Sequence, residues 1–97
     1  MKVRFLALAQ KELDDAVAGT TDKQQSWDWN FSMNEVDRAV RRTVSFPMSC
    51  PEIESGVRRC LLARFPYGLI YGVDGNTIVI LAVAHLHRNP RYWVDRM

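Results

Sequence analysis

Gly68-Leu69-Ile70-Tyr71-Gly72-Val73-Asp74-Gly75-Asn76-Thr77-Ile78-Val79-Ile80-Leu81-Ala82-Val83-Ala84 decides the fold. Asp74-Gly75 supplies the positive φ that a tight hairpin turn demands, so the flanking apolar runs read as two antiparallel strands, 68–73 and 77–84. Ile78 to Ala84 is apolar without alternation. A strand of that kind is covered on both faces and belongs inside its sheet. Upstream, Val57 to Arg64 reads as a third strand that turns at Pro66-Tyr67. The N-terminal Val3, Phe5 and Ala7 alternate with Arg4, Leu6 and Leu8 and read as a fourth.

Between these lie two helical patterns. Ala9, Leu13, Ala16 and Val17 fall on one face, with Lys11, Glu12, Asp14 and Asp15 on the others. Trp29, Met33, Val36, Val40 and Val44 recur at helical spacing, Asp28 is placed to cap them, and Pro47 stops them. Asp37 and Arg41 stand four apart and can pair. Gly19-Thr20-Thr21 weakens or ends the first helix. The order is β-α-α-β-β-β. The expectation is an α+β domain, an antiparallel β-sheet with an αα-hairpin on one face.

The 97 residues are enough for one domain, 1–97, and too few for two. Apolar residues at 47% and charged residues at 25% exclude wholesale disorder. No apolar run reaches the roughly 20 residues of a membrane helix. The N-terminus lacks a signal-peptide pattern, so a cytoplasmic location is expected. Two cysteines without CxxC spacing, Cys50 in a proline-flanked loop and Cys60 in a strand, give no disulfide framework. The net charge of +2 hides an asymmetry, since residues 1–56 carry a net −2 and residues 57–97 a net +4 made entirely of arginine. Arginine's planar fork suits phosphate or carboxylate.

Several residues in the basic part could carry chemistry. His85 and His87 share a face if the strand continues, with Arg88 opposite. Together with Arg59, Arg91 and Tyr92 they could build a cationic site suited to acid–base work near neutral pH. His-x-His lacks a third ligand at sensible spacing, so neither a metal nor a cofactor is expected. Tyr71 and Trp29 read as core, Trp93 as packing the tail onto the sheet, and Trp27 as an exposed partner contact.

Four stretches in order, Gly56-Val57-Arg58-Arg59, Arg64-Phe65-Pro66-Tyr67, Ile78 to His85 and Arg88-Asn89-Pro90-Arg91-Tyr92-Trp93, resemble the RelE/ParE superfamily of bacterial toxins, often called plasmid stabilisation proteins. The resemblance implies a growth-arresting toxin of a type II toxin–antitoxin module, neutralised by a cognate antitoxin that wraps over it. RelE-like members cut mRNA on the ribosome, and ParE-like members poison DNA gyrase. Of the ribonuclease positions, the resemblance carries over only Arg59 and Tyr92. Leu61, Gly68 and Leu86 stand where basic residues are found in the nucleases. The expectation is therefore a non-nuclease mode, with gyrase poisoning as one option. The alternatives are a ribosome-dependent mRNA endoribonuclease using Arg59, His85, His87, Arg88 and Tyr92, or a toxin-derived binding module without toxicity.

Overall fold

The computed structural model describes residues 2–21, 29–62, 66–86 and 91–96. The hairpin forms where the sequence places it. Strands β4 (Tyr67–Asp74) and β5 (Thr77–His85) pair antiparallel, and Gly75 takes φ +60° in the turn between them. Strand β3 (Val57–Leu61) pairs antiparallel with β4. Outside it lies β2 (Glu52–Glu54), closed onto β3 by a turn in which Gly56 has φ +77° and donates its N–H to Glu52 Oε2 at 2.9 Å. Three residues with Ile53 as their one apolar side chain are too short a stretch to give a periodic signal.

Strand β1 (Lys2–Phe5) takes the other side of β5, giving the order β1-β5-β4-β3-β2. It runs parallel to β5, so the sheet is mixed rather than wholly antiparallel. Alternation in a sequence marks a strand but carries no direction. Parallel pairing needs a long crossover, and everything from the first helix to β4 provides it. The helices are α1 (Ala7–Thr21) and α2 (Trp29–Ser45). Gly19 does not end α1, which runs to Thr21. The expected contact at Trp27 and the cap at Asp28 lie outside the described residues. The Asp37–Arg41 pair forms at 3.0 Å, with both side chains exposed.

The pairing of β4 with β5 slips at one point. Tyr71 faces Ile80, yet Ile70 faces Ala82, so Leu81 is an extra residue on β5. This bulge sorts the apolar run between two cores. Ile78, Ile80 and Val83 pack under the helices with Ala9, Leu13, Val36 and Ala39. Val79, Leu81 and Ala82 pack on the opposite face with Val57, Ile70 and Trp93. Val83 would point away from the helices without the extra residue. Tyr71 is fully buried, as its alternation with Leu69 and Val73 implies, and its hydroxyl donates to the Pro47 carbonyl at 2.7 Å.

The second face has no helix layer among the described residues. It is covered by the C-terminal segment, which ends in a 3₁₀ turn (Val94–Arg96). Trp93, only 1% exposed, is its anchor. Removing it leaves a cavity against Val79 and Leu81, so Trp93→Ala should cost about 3–5 kcal/mol in a denaturant unfolding series.

Candidate functional site

Directly opposed residues in a sheet share a face, and this parity separates the candidate residues. Arg59 opposes Ile70, which belongs to the Trp93 side. Its stem lies across Gly68, where an added Cβ would sit 3.1 Å from Arg59 Cγ. The space above Gly68, a position occupied by a basic residue in the nucleases, is thus filled by Arg59 itself. His85 opposes Tyr67, which packs on the helix side. The two rings meet edge-on, with centroids 5.1 Å apart. A cleft between them and α1 is lined by Glu12, Asp15, Ala16, Tyr67, Val83 and His85. The sheet therefore stands between Arg59 and His85. His87 and Arg88 lie outside the described residues.

Tyr92 packs against the Trp93 core and reaches the wall of that cleft at Glu12. Its hydroxyl donates to Glu12 Oε2 at 2.6 Å, and the Arg96 guanidinium sits 5.1 Å above its ring centroid. Arg96 closes a two-pronged pair on the same carboxylate, Nη1 to Oε1 at 2.8 Å and Nη2 to Oε2 at 3.1 Å. Arg91, the other arginine described in this segment, pairs with Glu54 of β2. The segment is tied down at both ends, with Trp93 between.

Glu12 and Arg96 also complete the sheet. The last rung between β1 and β5 runs from Leu6 N–H to the Ile80 carbonyl at 3.1 Å. Beyond it, Val83 N–H donates to Glu12 Oε1 at 3.1 Å, and Arg96 Nη1 donates to the Leu81 carbonyl at 3.0 Å. One acceptor and one donor thus stand where a longer β1 would have offered backbone groups. Burial works to raise the Glu12 pKa, but the hydrogen bonds from Arg96, Tyr92 and Val83, with the Arg96 charge, outweigh it and hold the carboxyl below its ordinary value. The bond to Glu12 raises Arg96, more than burial lowers it.

Sequence reasoning singles out neither Glu12 nor Arg96. Glu12 reads as one of the polar residues of α1, and Arg96 lies in a tail without periodicity. The one available signal is an acidic residue next to Leu13 in a helix packed on a basic segment.

On the far edge of the sheet, a cavity of about 400 Å³ is lined by Arg42, Ser49, Cys50, Pro51, Arg59 and Leu61. Among the described residues no three metal-ligating side chains converge, and no helix is long and apolar enough to cross a membrane.

Comparison with known proteins agrees with this architecture. The family model for the ParE toxin of the type II toxin–antitoxin system, parDE, matches residues 3–90. A solved structure described as a chromosomal ParDE toxin–antitoxin system from P. aeruginosa is similar, with a TM-score of 0.76 and 19% identity. The match covers 90% of this chain and 97% of that one. No curated protein sequence matches the chain significantly.

The Glu12–Arg96 pair has a pH signature. Since the folded carboxyl titrates below its ordinary value near 4.5, its stabilisation is present above that pH and lost as pH falls through the lower folded value. Glu12→Ala should cost about 3 kcal/mol at neutral pH by stranding a half-buried arginine. Glu12→Gln should flatten the acid limb of a stability–pH curve.

Proposed function

We propose, since the chain belongs to the ParE toxin family and is the toxin component of a type II toxin–antitoxin system, that it arrests growth by binding DNA gyrase and not by cutting RNA. A cognate antitoxin is its neutralising partner. The observation that carries the target reading is the separation of Arg59 from His85 by the sheet. Cleavage by 2′-OH attack requires a base, an acid and a phosphate-stabilising cation around one phosphorus atom. A histidine on one face and an arginine on the other cannot serve the same phosphate. Tyr92, the other matched ribonuclease position, already spends its hydroxyl proton on Glu12. This arrangement favours a toxin that acts by occupying a protein surface, as gyrase poisons do.

The test is paired labelling after the protein is induced alone in a bacterial host. Thymidine incorporation should fall before methionine incorporation, and the purified chain should inhibit gyrase supercoiling. Arg59→Ala and His85→Ala should each leave the growth arrest intact. If methionine incorporation falls first and both substitutions abolish mRNA cleavage, the ribosome-dependent ribonuclease takes the place of this reading.

A further inference from the structure

Two thiols face one another beneath the junction of α2 and β3. Cys50, in the loop after α2, and Cys60, on β3, are both free and both buried in the helix-side core. Glu52 pairs with Arg58, and Arg59 N–H donates to the Pro51 carbonyl at 3.1 Å, so the same antiparallel register sets Cys50 directly opposite Cys60. Polar groups gather around them in an otherwise apolar layer. Arg42 Nη1 lies 3.6 Å from Cys60 Sγ, and Ser49 Oγ lies 4.0 Å from Cys50 Sγ. Cys50 also forms part of the wall of the cavity at the outer edge of β3.

We propose that Cys50 and Cys60 are an oxidative modification site, at which a peroxide converts the facing thiols into an intramolecular disulfide that ties the loop after α2 to β3. The two sulfurs have different parts. Cys50, 6% exposed and on the cavity wall, is the one a small oxidant reaches; Cys60 is 1% exposed and sealed behind it. In the first step the Cys50 sulfur attacks one peroxide oxygen. The O–O bond breaks, Cys50 becomes a sulfenic acid, and one water leaves. In the second step the Cys60 sulfur attacks the Cys50 sulfur. The S–O bond breaks, and the hydroxide departs with the Cys60 proton as a second water. Two thiols lose two electrons in all, and one peroxide becomes two waters.

Arg42 is the positioning residue for the second step. Burial, and then the neighbouring Cys50, push the Cys60 thiol up to about 11, while the Arg42 guanidinium works the other way. Its charge therefore favours the thiolate as Cys60 gives up its proton to attack. The bond would close a short loop containing β2 and the Gly56 turn. It would restrict that loop in the unfolded chain and raise the thermal midpoint.

The test treats the reduced full chain with hydrogen peroxide and follows its intact mass. The expected product is monomeric, lighter by two hydrogen atoms, yields a Cys50–Cys60 linked peptide on non-reducing digestion, melts at a higher temperature and returns to the starting mass with dithiothreitol. Cys60→Ser should instead stop at a Cys50 sulfenic acid that dimedone traps. Arg42→Gln should let the same adduct build up before the disulfide appears. A wild-type mass that stays unchanged, gains oxygen with both cysteines unlinked, or doubles through an intermolecular bond overturns the proposal, whether or not either variant folds.

Discussion

The edge of β5 beyond Ile80 is the constraint on which the rest of the molecule depends. β1 is too short to cover it, and an interior strand cannot leave backbone groups unpaired without a cost comparable to the hydrogen bonds themselves. Glu12 supplies the acceptor for Val83 N–H, and Arg96 the donor for the Leu81 carbonyl. Because the two side chains also bind each other, α1, β5 and the C-terminal segment meet at a single point. The bulge at Leu81 sits beside that point and turns Val83 back toward the helices, so the strap and the sorting of the two cores are parts of one arrangement.

Most of the fold is legible in the sequence because it is written in periodicity. The Asp74-Gly75 turn, the apolar run from Ile78 and the periodicity of the two helices each report local geometry, and the turn, the strand and both helices are found in place. The direction of β1 is not legible, because its neighbour is chosen by the whole topology and not by residues 2–5. Nor is the bulge. Leu81 and Ala82 look like any two residues of an apolar strand, and only the partner register reveals the slip. Trp93 is readable as an anchor because a tail carrying a large aromatic after Pro90 gains most by burying it.

The candidate residues teach a different lesson. Arg59, His85 and Tyr92 group together by chemical type, but strand parity decides which of them meet. His85 goes under the helices with Tyr67, Arg59 spreads over Gly68 on the other face, and Tyr92 is drawn to Glu12. The alternation that fixes parity is visible in the sequence. The register that applies it to two strands at once is not. The basic surplus after residue 57 is likewise divided: Arg91 and Arg96 hold acidic partners from elsewhere in the chain, while Arg59 lines the outer edge.

The clasp between Glu12 and Arg96 joins residues 84 positions apart. A chain still being made can form α1 and the central hairpin, yet it cannot seal the edge of β5 or cover its second face until residues 91–96 have left the ribosome. The edge of β5 is therefore closed only once residue 96 has been added. Up to that moment the nascent chain presents an unfinished sheet, with the Val83 N–H and the Leu81 carbonyl lacking the side chains that close them.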